Sequence, residues 1–555
     1  MNKPDGHPDV SLAPSGEAFE LPREEDYDRE FERLQDLTRR HCAAGREVVV
    51  VMGVGFVGAV MAGVVADAPP NGSGQAPYFV IGMQRPSTRS YWKIPYLNRG
   101  QAPVEAEDPE VLPLIERCVK QKQTLTATYT YEALQLADIV VVDVQCDYLK
   151  ETLGDVRKGH ADIRALEESL KVIGRKIPPD CLVLIETTVP PGTTEYVANP
   201  IIKKAFEQRG LTQAEPCLAH SFERVMPGRD YVASIREFWR VCSGINVSAR
   251  EKVVTFLSNV IDVGNYPLTV LDRPIESETC KIVENSYRAT ILAFLDEWSV
   301  FAERNGVDLH KVVEAIKVRP THSNMIFPGP GIGGYCLPKD GGLGVWSYNT
   351  LMGFEDDIFR MTPLAIDIND TRALRAVQLV RDALRNMGKI VAASRVALLG
   401  VSYRQDVGDT RYSGSELIVR KLAEMGAELV VHDPYVKRWW ELEKQDSYPR
   451  PGYSMSRFFR NQGGLRDIVV NANMEDALKG VDAVILAVGH QLYRHLEPDD
   501  VIKMTGRPVA VIDCFNLLED AQIERYFQLG CEVKGLGRGH VKRIKDRVAC
   551  RRPAP

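Results

Sequence analysis

Apolar positions in this chain fall in short continuous runs closed by turn residues, and the runs alternate with stretches of helical spacing. Glu47–Met52 (EVVVVM) predicts a buried strand, followed at once by Gly53-Val54-Gly55-Phe56-Val57-Gly58 and a small-residue helix over 59–66. Further strands are expected at Tyr78–Met83, 139–144, 181–186 and 216–219, with a charged helix over 162–175. A second alternating series begins with Arg395–Leu399 and continues through a helix at 414–425 and strands at Glu428–His432, 483–488 and 509–513. This alternation predicts an α/β fold with two doubly wound, Rossmann-like parallel sheets. Between the two series, 275–305 reads as one long helix stopped by Gly306. It carries Ile282, Val283, Tyr287, Leu292, Phe294, Leu295 and Trp298, so it is expected to be buried on most sides and to bridge domains or subunits.

The ends of the chain read differently. Residues 1–23 are rich in Pro, Gly, Ser and acidic groups and predict a disordered tail, ahead of a short charged helix over 24–42. The segment 437–466, rich in Trp, Tyr, Arg and Gly, is expected to be a surface excursion, and no repeat of solenoid period occurs.

Length and composition bound the partners. A chain of 555 residues should hold about three domains. A formal net charge of -6 gives no basic footprint for nucleic acid. The 11 cysteines are odd in number and show neither CxxC nor zinc-type spacing, which argues against a disulfide framework or a metal and for a reducing cytoplasm. No apolar run approaches the roughly 20 residues of a membrane span.

Chemistry is suggested at several places. Strand, G-x-G-x-x-G and helix in that order are the setting of a dinucleotide fingerprint, whose glycines permit a tight turn and close approach of a pyrophosphate. The next strand ends in Gln84-Arg85, where an acidic residue usually holds the ribose; Gln84 can bond a hydroxyl and Arg85 can stack or hold a 2′-phosphate, so NAD and NADP both stay open. The hydroxyls of 186–194 (ETTVPPGTT) and Glu223 in HSFERVMPG are expected at strand ends. Lys281, Asn285 and Arg288 recur at i, i+4 and i+7, a shared helix face that is either solvated or turned to a substrate. The loop 329–340 (GPGIGGYCLPKD) sets Cys336 among four glycines, four residues before Asp340. A thiol so placed suits covalent catalysis, though an inert buried cysteine is the common alternative.

Taken in order, these motifs resemble the nucleotide-sugar 6-dehydrogenases, the UDP-glucose/GDP-mannose dehydrogenase family. The resemblance runs over about 48–539 and rests on Gly53 to Gly58, Thr188-Val189-Pro190-Pro191-Gly192, Phe222-Glu223-Arg224-Val225, Lys281 with Glu284-Asn285, the loop 331–340, and Asp409-Thr410-Arg411 with His432-Asp433-Pro434-Tyr435. It implies a four-electron oxidation of a sugar C6 alcohol to the uronate for polysaccharide biosynthesis, with two nicotinamide cofactors and no metal. Cys336 would carry the thiohemiacetal and thioester, and Asp340 with a water would move the proton. Lys281 would steady an oxyanion, Asn285 the sugar or water, Thr188 a water, and Glu223 would assist hydrolysis. Gly53, Gly55, Phe56, Val57, Gly58, Gln84, Arg85, Gln145, Thr188 and Arg411 would face the cofactor, and Arg224, Arg288, His322, Gly333, Tyr403 and Arg404 the nucleotide sugar. Arg404 stands where the family usually has Lys, and His322 where one branch often has Arg.

The implied layout is an N-terminal extension (1–44), an NAD-binding domain (45–240), a central helical dimerisation and catalytic-loop domain (241–385), a UDP-binding domain (386–545) and a tail (546–555). Glu223 to Gly228 and Glu284 to Arg288 resemble the UDP-N-acetylhexosamine branch, whereas Pro338-Lys339-Asp340 resembles the glucose and mannose branches. A two-electron β-hydroxyacid dehydrogenase, which also carries Lys and Asn four residues apart on a helix, and a non-catalytic binding protein are the competing readings. A homodimer or larger homo-oligomer is expected from the long apolar helix.

Overall fold

The computed structural model describes residues 10–70, 76–104, 106–225, 228–327, 329–334, 336–443, 459–460 and 462–551. These fall into two compact units, one of Met1–Cys146, Ala161–Ile282 and Ser347–Phe354, the other of Asp147–His160, Val283–Trp346 and Glu355–Pro555.

The first unit is built on an eight-stranded sheet of β1 (Glu47–Met52), β2 (Tyr78–Met83), β3 (Leu125–Thr128), β4 (Ile139–Val142), β5 (Leu182–Ile185), β6 (Cys217–His220), β7 (Val241–Gly244) and β8 (Thr269–Val270), in the order β8-β7-β6-β5-β4-β1-β2-β3. The valine run of β1 is buried on both faces from Val48 to Val51, as a central parallel strand requires. From β3 to β6 neighbouring strands are parallel; β7 runs antiparallel to β6, a reversal that the apolar runs do not announce. The strand order reverses between β1 and β4, which opens a crevice at their carboxyl ends.

The N-terminal stretch corrects the expectation of a tail. From Val10 onward it forms a hairpin, Val10–Leu12 against Ala18–Glu20, ahead of α1 (Glu24–Ala43). Side chains, not backbone propensity, hold it: the Trp92 amide donates to Ser11 Oγ at 3.2 Å, Phe19 packs edge-on to Tyr96, and Arg99 pairs with Glu17 at 2.7 Å. Residues 1–9 and 552–555 lie outside the described residues.

In the second unit a six-stranded, wholly parallel sheet comprises β9 (Arg395–Leu399), β10 (Glu428–His432), β11 (Val470–Asn471), β12 (Ala483–Leu486), β13 (Ala510–Asp513) and β14 (Glu532–Gly535), ordered β11-β10-β9-β12-β13-β14. Its reversal point lies between β9 and β12. The segment expected as a surface excursion is partly core: Trp439 and Leu442 are buried, because the turn after β10 carries them under the sheet, while 444–458 and Asn461 lie outside the described residues. A second hairpin, Asp147–Thr152 with Asp155–Asp162, belongs to this unit as far as His160. There the buried Lys150 ammonium pairs with both oxygens of Asp370.

The chain passes between the units along α3 (Pro274–Asn305), which starts on a proline and is closed by Gly306 at φ 70°. Its 32 residues span about 48 Å. Burial on most sides is not what the single chain shows: Val283, Tyr287, Phe294, Trp298 and Phe301 are each about half exposed and spaced along one stripe. After the thiol loop come α4 (Asp340–Trp346) and α5 (Met361–Thr371).

Candidate active site

In the first unit the turn after β1 has the geometry a dinucleotide needs. Gly53 takes φ 106°, and a Cβ there would stand 2.7 Å from the Asp143 carbonyl oxygen; a Cβ at Gly58 would overlap the Gly53 carbonyl. Gly55 instead has nothing within 4 Å of its would-be Cβ, so the backbone is bare where α2 (Phe56–Ala66) begins. An open approach, a tight turn and a helix N-terminus together fit a pyrophosphate. Tyr231 stacks on Phe56 at 4.9 Å and bonds its carbonyl, which seats this helix end. Across the crevice, Gln145 follows β4 and is exposed. The Gln84 amide extends the sheet by donating to Thr128 O at 3.0 Å, and Arg85 is exposed.

At the carboxyl ends of β5 and β6, the first turns of α3 gather the strand-end loops. Lys281 is buried, donates from Nζ to the Glu223 carbonyl at 3.0 Å and lies over the Phe222 ring. The Glu223 carboxylate accepts the Val225 amide at 2.6 Å, and Arg224 donates to the Trp239 carbonyl at 3.0 Å. Met226 and Pro227 of this motif lie outside the described residues.

One turn before Lys281, Glu278 accepts the amides of Gly192 (2.5 Å) and Thr194 (2.8 Å) and the Thr194 hydroxyl (2.6 Å). Burial pushes its carboxyl up, and these donors pull it back only to about 7. Glu278 thereby ties the loop that starts at the buried Thr188 to the helix turn of Lys281. Ser277 completes the same turn through His220 Nδ1 at 2.7 Å and Ser243 at 2.6 Å; burial keeps His220 neutral, at about 3. Beneath them Glu186 pairs with Arg240, and burial beside Glu186 and Glu223 raises the Asp143 carboxyl well above the usual range. Sequence reasoning missed Glu278; its one signal is an acid three residues before a helical lysine.

In the second unit Asn285 and Asp340 meet. Asn285 Nδ2 donates to Asp340 Oδ2 at 2.7 Å, and Lys339 Nζ donates to Oδ1 at 2.8 Å, with both charged side chains almost wholly buried. The Cys336 carbonyl accepts the amides of Lys339 and Asp340 at 3.1 and 3.0 Å, so the half-buried thiol residue leads directly into α4. Tyr335 beside it lies outside the described residues.

Tyr403 explains two of the loop's glycines. A Cβ at Gly333 would overlap it, and one at Gly334, where φ is 82°, would lie 3.0 Å from its ring. Burial, then the nearby Asp409, pushes the Tyr403 phenol up to about 12. Gly334 donates to the Arg411 carbonyl at 2.9 Å, and the Arg411 guanidinium is held by Asp409 at 2.9 and 3.0 Å. Thus Gly333, Tyr403 and Arg411 collect around the thiol loop. Arg288 and Arg404 are exposed, and His322 bonds its neighbour Thr321 at 2.8 Å. The sequence gives no sign that Lys339 would share the Asp340 carboxylate.

Comparison with known proteins identifies the family. Three models of the UDP-glucose/GDP-mannose dehydrogenase family match in succession: its NAD binding domain over residues 47–257, its central domain over 275–370 and its UDP binding domain over 397–520. The chain is similar to a UDP-N-acetyl-D-mannosamine dehydrogenase of Pyrococcus horikoshii, 25% identical over 496 residues, covering 89% of this chain and 100% of that one. It is also similar to an NDP-N-acetyl-D-galactosaminuronic acid dehydrogenase of Ralstonia solanacearum, 25% identical over 410 residues, or 72% and 84% of the two chains. Among solved structures, that of an NDP-N-acetyl-D-galactosaminuronic acid dehydrogenase from Methanosarcina mazei Go1 superposes with a TM-score of 0.71 at 27% identity, covering 92% of this chain and 98% of the other.

Proposed function

The chain belongs to the UDP-glucose/GDP-mannose dehydrogenase family, and from that premise we propose that it oxidises the C6 alcohol of a UDP-N-acetylhexosamine to the uronate. The relatives named above, which act on N-acetylated hexosamines by their names, support the sugar class. The observation that carries the chemistry is the buried Asn285–Asp340–Lys339 cluster four residues beyond Cys336.

Gly53 to Gly58, with Gln84, Arg85 and Gln145, would hold NAD, which when bound would accept the electrons of both oxidations. Asp340, through a water, takes the proton of the C6 hydroxyl, and its two hydrogen-bond donors fix where that proton goes. Cys336 adds through Sγ to the aldehyde carbon and holds it as a thiohemiacetal, so the half-oxidised sugar stays in place for the second step. Lys281 supplies the positive charge for the alkoxide oxygen. Water placed by Thr188 then adds to the thioester with assistance from Glu223, the C–S bond breaks, and the thiol and the uronate are released. We assign cofactor binding to 45–240, the catalytic loop to 241–385 and the nucleotide to 386–545. Arg224, Arg288, His322, Gly333, Tyr403 and Arg404 are the residues proposed to contact the substrate, with Arg411 toward the cofactor.

The decisive measurement is stoichiometry. With a panel of UDP- and GDP-sugars and either NAD or NADP, we expect about two NADH per UDP-N-acetylhexosamine and no free aldehyde; the thioester route needs both oxidations before release. One NADH per sugar would sink the four-electron reading and favour a two-electron dehydrogenase.

We further propose that two copies pair through the α3 stripe of Val283, Tyr287, Phe294, Trp298 and Phe301, since so large an apolar surface calls for a partner. Trp298→Glu should then halve the mass measured by light scattering, and an unchanged mass would count against this interface. No helix among the described residues is long and apolar enough to cross a membrane, and none of the 11 cysteines is joined in a disulfide; we place the enzyme in the cytoplasm.

A further inference from the structure

The turns at the reversal point of the second sheet are joined by one buried imidazole. His490 follows β12 and is wholly buried. Its Nδ1 accepts the Asp406 amide at 2.8 Å, which fixes the proton on Nε2. That Nε2–H faces Asp433 Oδ2 at 3.1 Å and Ser402 Oγ at 3.2 Å. Ser402 in turn donates its hydroxyl to the Arg404 carbonyl at 2.9 Å. Asp433, at the end of β10, also accepts the amides of Val401 (2.7 Å), Ser402 (3.2 Å), Tyr435 (2.8 Å) and Val436 (3.2 Å). Burial alone would raise its carboxyl, but His490 and these donors hold it below the ordinary value.

The segment so held is strained. Asp406 is a non-glycine residue at φ 56°, a conformation that persists only where the surroundings impose it. His490 is the group that imposes it at the amide, while the Gln491 amide (3.1 Å) and the Tyr435 hydroxyl (3.2 Å) hold the Asp406 carboxylate. Three points of the 402–406 segment are therefore tied, directly or through Ser402, to one ring: the Ser402 side chain, the Arg404 carbonyl and the Asp406 amide. Between them project the side chains of Tyr403 and Arg404.

We propose that His490 is the positioning residue that locks the 402–406 turn and thereby presents Tyr403 and Arg404 to the nucleoside diphosphate of the substrate. The last clause rests on the function proposed above; the lock itself does not. It acts through the Nδ1 lone pair, which accepts the Asp406 amide. The titratable groups facing the ring are Asp433 from β10, Asp406 from the turn after β9, Tyr435 at 5.1 Å, Tyr493 at 5.5 Å and, through Tyr493, His432.

Two variants separate the lock from simple packing. His490→Phe keeps a planar ring and removes the hydrogen bonds of both ring nitrogens; His490→Asn restores an acceptor near the position of Nδ1. In the ligand-free full chain, hydrogen–deuterium exchange over 402–407 should quicken about tenfold in the Phe variant and stay within about threefold of wild type in the Asn variant, as expected for one buried hydrogen bond. UDP affinity, measured by calorimetry, should fall in the same order, with NAD affinity unchanged in both. Exchange in His490→Phe equal to wild type would overturn the proposal, as would an Asn variant that exchanges as fast as the Phe variant. Should the Phe variant not fold, Ser402→Ala decides: it cuts the tie from the ring to the Arg404 carbonyl, so exchange at 402–407 should quicken several-fold, and exchange equal to wild type overturns the lock. If exchange behaves as expected but UDP fails to bind the wild type, the lock stands and the substrate reading falls.

Discussion

A Cys336→Ser protein is expected to bind NAD and UDP-sugar as the wild type does and to form uronate at least ~10³-fold more slowly. The substitution changes one atom in a half-buried position of a loop whose backbone is fixed independently, by the Cys336 carbonyl on the amides of Lys339 and Asp340 and by Gly334 on the Arg411 carbonyl. Folding should therefore be nearly untouched, and unfolding midpoints of the two proteins should agree closely. What is lost is the covalent hold on the aldehyde. An alkoxide of serine is far harder to form than a thiolate, so the second oxidation has no thiohemiacetal to act on. Trapping with a carbonyl reagent distinguishes the outcomes: aldehyde, or no product, fits the covalent reading. Uronate formed at more than a tenth of the wild-type rate would show that oxidation proceeds through a hydrated aldehyde without the thiol.

The legibility of the chain follows its burial. β1, β2, β9 and β10 coincide with their predicted bounds; in the first three this follows because a strand covered on both faces writes a nearly unbroken apolar run, while β10 is half-buried over Leu429 and Val430. Edge elements leave no such record: β3 is Leu-Thr-Ala-Thr, β11 has 2 residues, and β14 begins with a glutamate. The hairpin of 147–162 reads as charged loop since its buried lysine is neutralised only in three dimensions, by Asp370 some 220 positions on. The N-terminal hairpin was hidden for a like reason, its stability lying in contacts of Ser11, Glu17 and Phe19 with residues 92–99.

At the candidate site the same rule holds at the scale of side chains. The glycine turn after β1 is legible because each glycine meets a local demand, a positive φ at Gly53 and close packing at Gly58. The thiol loop is legible as a motif, and Asn285 as a partner of Lys281 along a helix, but neither observation tells that Asn285 reaches Asp340. Glu278 and His490 stayed silent because each works by accepting amides from segments far away in sequence. Acceptors of that kind have no periodicity. Their only trace is a polar residue in an otherwise apolar setting, and that trace is shared with many inert positions.

Asp340 is the position where structure and chemistry are most tightly joined, and two substitutions should separate them. Asp340→Ala removes the carboxylate that pairs with Lys339 Nζ, at a place where the two side chains are 1% and 0% exposed. Stranding one partner of a buried ion pair costs about 3–5 kcal/mol, so this variant should unfold at markedly lower denaturant. Asp340→Asn keeps the shape and an oxygen to accept Lys339 or Asn285, and should lose less stability. Both should lose the proton acceptor, with kcat lower by about 10²–10⁴. Joining Lys339→Met to Asp340→Asn removes the buried positive charge as well, and buried pairs replaced by apolar groups of similar volume are often neutral or better for stability. The double variant should thus recover the unfolding midpoint without recovering kcat. If kcat rose together with stability, Asp340 would be a structural partner of Lys339 and the proton acceptor would lie elsewhere; if Asp340→Asn alone kept kcat within tenfold of wild type, the carboxylate would not be the base.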